Sequence, residues 1–346
     1  MKYIFATHSH TVHLSALGTI NLLGLNSEDV VFVFTRNFNT VVIPDGCKVI
    51  HATDTDKLCF ETHAAKNPIH AQYLIRKIDN EIDNWVEGDD YELFSPHLCI
   101  PSFLLLYTHS KCKRVSFIQE GLFTSEGFFR YGVSKWEQYK RKVYLLLRYG
   151  TSRLYGAPYW YCDGIKEKQS IIKAYGINED YYHFLKCDFH KIEWPKVKVD
   201  LEPINEAPVF IFDGFVVNGM SESDYYMNQC REMIERFSKK NNYVRFHPNQ
   251  SAEEKNMLLS FFNKNGVSCK IMDGNVPFEY YIMQGEKMTI VGMGSTLLYL
   301  GKIYGHNVIC CDTWMLDSPK YQQEMALGRP LFHEYFKDVK PVERTS

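Results

Sequence analysis

The chain has 346 residues, of which 45% are hydrophobic and 23% charged, with a formal net charge of −2. That length exceeds one small core and suits two α/β domains. A near-neutral balance argues against a broad nucleic-acid-binding surface, and no apolar run approaches the ~20 residues that span a bilayer. Ten cysteines without a Cys-x-x-Cys spacing, and no leader pattern, fit free, mostly buried thiols in a reducing cytoplasm.

In chain order, KYIFAT predicts a first strand that ends in a polar turn, and 14–25 predicts a helix. VVFVFTR and CKVIHAT predict two more strands. An amphipathic helix over 68–86 follows, then the strand-like YELFS, the apolar LCIPSFLLLYTH and the strand RVSFIQE. Strand and helix alternating at this spacing predict parallel sheets with helices on both faces. Residues 135–153 are basic and aromatic around Leu145–Leu147; that helix either lies on an anionic surface or, since a single basic helix is a weak membrane signal, buries its leucines and solvates its cations.

Three prolines and alternating charges over 186–208 predict a linker. The domain reading is therefore 1–190, then 207–320, with 321–346 as a C-terminal helical tail able to cross back to the first domain. PVFIF restarts the strand pattern, Asp213-Gly214 ends it, and YVRFHPN carries another strand to His247. Pro277-Phe278-Glu279 opens a helix. The stretch TIVGMGSTLLYLG predicts strand, glycine turn and helix, with Ser295 as N-cap and Thr296 as first helical residue. Such a corner offers hydroxyls, backbone N–H groups and a helix dipole to a phosphate.

Several groups invite other chemistry. His8-x-His10-x-x-His13 has the look of a metal cluster, although the further ligands a metal hydrolase needs are not apparent. Asp54-Thr55-Asp56 is an Asp-x-Asp whose simplest meaning is a solvated turn. Glu120, at the end of RVSFIQE and followed by Gly121, is the first candidate for a base; Glu126-Gly127 offers the same pattern six residues on.

Taken together, Arg245-x-His247-Pro248, Pro277-Phe278-Glu279 and Gly292-x-Gly294-Ser295-Thr296, with Glu120-Gly121 upstream, resemble the motifs of bacterial sialyltransferases of the GT-B fold. That resemblance implies two Rossmann-like, doubly wound parallel-sheet domains facing a central cleft, the second binding CMP-sialic acid. It implies metal-free, inverting transfer to a glycan hydroxyl, with Glu120 as general base and His247 as general acid. Gly214, Arg245, Pro248, Glu279, Gly294, Ser295 and Thr296 would hold the donor, and His8, His10 and Gly121 would face the acceptor. A galactose-type, lipid-linked acceptor of a bacterial surface polysaccharide is implied too, in the cytoplasm or peripherally at the inner membrane. Arg245 departs from the lysine those enzymes often carry. A metal-dependent hydrolase built on His8 and His10, a non-catalytic nucleotide- or glycan-binding protein, and a transferase of another CMP-activated acidic sugar stay open as alternatives.

Overall fold

A computed structural model describes the chain except residues 37, 41, 65–66, 99, 121–128, 131–133, 155–159, 162–168, 183–184, 197–199, 205–206, 274–275, 327–338 and 345–346. The chain divides into two units, Met1–Pro195 and Lys196–Ser346.

The first unit is built on a seven-stranded sheet: β1 (Lys2–Thr7), β2 (Val30–Phe34), β3 (Lys48–His51), β4 (Tyr91–Ser95), β5 (Cys112–Ile118), β6 (Lys173–Gly176) and β7 (Asp188–Lys191). Their order is β3-β2-β1-β4-β5-β6-β7, every pair parallel. β2 and β4 are buried along their whole length, as strands covered on both faces must be. Helices α1 (His10–Leu23), α2 (Thr53–Ala64), α3 (Pro68–Trp85), α4 (Pro101–Thr108) and α5 (Lys135–Tyr149) supply the cover. In α3, Ala71, Leu74, Ile75, Ile78 and Ile82 form the buried stripe, and Asn67 caps a helix that starts on Pro68. Helix α1 is crossed by the chain after β7: a Cβ on Gly18 would stand 2.6 Å from the Glu193 carbonyl oxygen, so only glycine fits.

The second unit has five parallel strands: β8 (Pro208–Phe212), β9 (Asn241–Phe246), β10 (Ser268–Ile271), β11 (Thr289–Gly292) and β12 (Asn307–Cys310). The order is β10-β9-β8-β11-β12. Helices α6 (Ser223–Phe237), α7 (Ala252–Lys264), α8 (Phe278–Gln284), α9 (Thr296–Ile303) and α10 (Pro319–Ala326) complete it. Phe210, Phe212, Tyr226, Phe262 and Trp314 fill its core. Both sheets share one logic: the first strand lies inside the sheet, and chain direction across the sheet reverses beside it, between β1 and β4 and between β8 and β11. Two doubly wound parallel-sheet domains in one chain are the make-up of the GT-B fold.

Two expectations need correction. Residues 188–191, inside the stretch read as linker, form the edge strand β7, and Ile192 and Trp194 are buried behind it. Alternating charge there protects an exposed strand edge and does not mark a flexible connection. Asp54-Thr55-Asp56 is the first turn of α2, where acids favour the positive end of the helix, and Thr55 is buried. The described parts of the tail, α10 and 339–344, pack on the second unit: Val342 N–H donates to the Cys310 carbonyl at 2.7 Å, and Arg344 pairs with Glu232 at 2.9 Å. All eight described cysteines are free.

Candidate active site

Parallel strands deliver the loops at their C-terminal ends to one edge of the sheet, and ligands of open α/β sheets sit where the winding reverses. Each unit has such an edge.

In the first, β1 delivers His8, β4 delivers His97 and β5 delivers Glu120. The last is positioned by its neighbour. Gln119 is fully buried, its N–H donates to the Tyr175 carbonyl, and its Oε1 accepts the Ile177 N–H at 2.8 Å. That bolts the end of β5 to β6 and leaves Glu120 to emerge half-buried at the edge. Its Oε1 lies 2.7 Å from His8 Nε2, and its Oε2 lies 3.6 Å from His97 Nε2. Burial pushes the His97 imidazole down to about 4, against the pull of the Glu120 charge, so its ring is neutral near pH 7. Asp56 faces the same edge. Burial raises its carboxyl, while the Arg36 N–H at 2.9 Å and the Ser102 hydroxyl restrain the rise, and it feels the charge of His8.

The histidine run divides. His8 joins Glu120. His10 sets its ring edge-on to Phe38, and His13 is buried, in contact with the Val42 carbonyl at 2.6 Å and pushed by burial to about 4. Among the described residues, the group able to hold a metal ion is His8, His97 and Glu120, whose ligand atoms all lie within 4.8 Å of one another. The sequence reading did not find His97; its placement just past a buried strand, beside the central β1, is the signal that could have shown it. Gly121 and Glu126 lie outside the described residues.

In the second unit the edge is drawn together by Asp213-Gly214, which follow β8. The Asp213 carboxylate accepts the Gly294 N–H at 3.1 Å and also that of Met293, while a Cβ on Gly214 would stand 2.9 Å from His247 Nδ1. Asp213 is therefore the residue that links the loop after β11 to the centre of the sheet. Its burial pushes the carboxyl up to about 7, opposed by the two amides. This also corrects an expectation: the N–H groups of Met293 and Gly294 serve Asp213, so an anion at this corner relies on the hydroxyls of Ser295 and Thr296 and on the α9 terminus. Ser295 is the N-cap, as its sequence position predicts, and accepts the Leu297 N–H at 3.3 Å.

His247 follows β9. Its N–H donates to Gln250 Oε1 at 2.9 Å, and the Asn249 N–H donates to its Nδ1 at 3.3 Å. Nδ1 is thus an acceptor, which places the proton of the neutral ring on Nε2. Burial, helped by the Lys255 charge, lowers its pKa. Pro248 beside it is exposed. Arg245, on β9 two residues before it, donates to the Asp273 carbonyl at 2.7 Å. Glu279 lies half-buried in the first turn of α8.

No protein-family model matches the chain, and neither does any curated protein sequence. Among solved structures it is similar to the UDP co-structure of S. aureus MnaA, at 8% identity over 98% of this chain and 90% of that one, TM-score 0.49. It is similar to an α/β-galactoside α-2,3-sialyltransferase from the luminous marine bacterium Photobacterium phosphoreum, at 11% identity over 98% of each chain, TM-score 0.48. Acinetobacter baumannii MurG matches at 8% identity over 99% of this chain and 96% of that one, TM-score 0.37. These likenesses are faint.

Proposed function

We propose that the protein is an inverting, metal-independent glycosyltransferase that moves sialic acid from CMP-sialic acid to a glycan hydroxyl. The observation that carries this is the junction at Asp213-Gly214, where the loops bearing His247 and Ser295-Thr296 converge on one sheet edge. An imidazole with its proton on Nε2, at the same sheet edge as a hydroxyl-bearing helix start, suits a phosphate ester that must leave with a proton or a strong hydrogen bond. The motif order noted in the sequence supports the choice of donor.

In this reading the hydroxyls of Ser295 and Thr296 hold the CMP phosphate and stabilise charge that builds as the glycosidic C–O bond breaks. Glu279 accepts hydrogen bonds from the ribose hydroxyls, and Arg245, Gly214, Pro248 and Gly294 shape the rest of the donor pocket. His247 Nε2 donates to the departing phosphate oxygen. Glu120 takes the proton of the acceptor hydroxyl as that oxygen attacks the anomeric carbon, and attack opposite the leaving group inverts the centre. His8 and His10 face the acceptor, for which a lipid-linked surface glycan is the proposed class.

Replacing Glu120→Gln and His247→Ala tests both roles. Each lowers transfer by ~100-fold or more if they act as base and acid; near-normal turnover in either variant removes that residue from the mechanism. A second reading draws on the His8–His97–Glu120 group, whose donors match a zinc ligand set. It makes the protein a metal hydrolase, and stoichiometric bound zinc with loss of activity in chelator would establish it.

A further inference from the structure

Helix α5 spans Lys135–Tyr149 and has two opposite faces. Gln138, Leu145 and Tyr149 are buried. On the other side, at steps of three and four residues, stand Trp136, Tyr139, Val143 and Leu147. Trp136 is 63% exposed, Tyr139 59% and Leu147 74%, with Tyr144 and Leu146 more than half exposed on the flanks. Five of the fifteen exposed large apolar side chains among the described residues thus belong to one helix. The sequence favoured a buried Leu145–Leu147 stripe, and the structure buries only Leu145.

The flanks of this apolar stripe are basic. Lys135, Lys140, Arg141, Lys142 and Arg148 face a single acid, Glu137, in a chain whose net charge is −2. Lys140 Nζ lies 5.2 Å over the Trp136 ring, and the Trp136 and Tyr139 rings stack at 5.8 Å. The helix needs no partner to form. Ser134 caps its start, Gly150 ends it in the left-handed conformation, and Gln72 Nε2 donates to the Gly150 carbonyl at 2.7 Å, tying that end to α3.

We propose that α5 docks the protein on an anionic lipid surface. Trp and Tyr side chains favour the headgroup level, leucines enter the acyl boundary, and cations on both flanks meet lipid phosphates. A protein partner for the same stripe would have to offer acids around an apolar groove; the density of cations beside the indole favours lipid. The proposal does not depend on the catalytic reading, because binding is measured without turnover.

The test is co-sedimentation of the full chain with vesicles of phosphatidylcholine alone and of phosphatidylcholine with phosphatidylglycerol. Wild type should partition at least ~10-fold more strongly to the anionic vesicles, and raised salt should weaken that binding. Leu147→Glu and Trp136→Ser, at exposed positions, should each reduce it by about ten-fold, and Lys140→Glu by several-fold. Equal binding to both vesicle types, no binding, or binding undiminished in the variants would overturn the proposal. So would a wild-type dimer in light scattering that Leu147→Glu converts to monomer, which would make the stripe an interface between copies.

Discussion

Asp213 and Gly294 are 81 residues apart, yet the carboxylate of the first accepts the backbone N–H of the second at 3.1 Å. Through that bond the central strand of the second sheet sets the position of the loop that starts α9. The carboxylate is buried, and its pKa rises to about 7. The native state therefore holds a proton that the unfolded chain releases near 3.8. The resulting stabilisation is complete below that value and is lost as pH rises through about 7.

Asp213→Asn removes this dependence while keeping an oxygen for the Gly294 amide. Its melting temperature relative to wild type should be higher at pH 8 than at pH 5. Between those two pH values the difference corresponds to at most about 3 kcal/mol, since at pH 5 the unfolded carboxyl has already lost its proton. Thermal unfolding of both proteins across pH checks it; a gap that does not change with pH contradicts the role of Asp213.

Gly214 is a packing constraint of a different kind. A methyl group there would sit 2.9 Å from His247 Nδ1 and 3.0 Å from Asn218 Nδ2, so Gly214→Ala must displace one of them. If the imidazole moves, kcat should fall by ~10- to 100-fold with little change in melting temperature, because geometry of an acid is lost and not packing. Steady-state kinetics beside thermal unfolding separates the two effects.

Both of these contacts show where the sequence was legible and where it was not. The buried central strands and the start of α9 were readable, because buried parallel strands are continuous apolar runs such as VVFVF and the cap at Ser295 is a local signal, whereas the short strands β6, β10 and β12 carry no such run. His247, Ser295 and Glu120 could be placed at strand ends for the same reason. What joins them was not readable. His97 meets Glu120 only because β4 lies between β1 and β5 in the sheet, and Asp213 meets Gly294 only because β8 neighbours β11. Edge strand β7 was hidden by its charges, and Asp54-Thr55-Asp56 by the likeness of helix starts to turns, since Asp suits both.

Lys255 is the lever on His247. Its charge adds to burial in lowering the imidazole pKa. Lys255→Gln should raise that pKa, so the high-pH limb of kcat/KM, along which the protonated acid is lost, should move to higher pH. An unmoved limb would mean that His247 does not set it.

Metal dependence separates the two readings of the His8–His97–Glu120 group. Under the transferase reading, chelator leaves turnover unchanged. Added zinc inhibits by occupying Glu120, and His97→Gln should weaken that inhibition by ~10-fold or more, since it removes one of three ligands. Activation by zinc, or loss of activity in chelator, would favour the hydrolase.

The central claim is that a CMP-activated acidic sugar is the donor. Release of free nucleotide, measured with EDTA present, should occur with CMP-sialic acid and a glycan acceptor extract, fall ~100-fold in His247→Ala, and be absent with UDP- and GDP-sugars. Release from a UDP- or GDP-sugar but not from CMP-sialic acid would contradict the account.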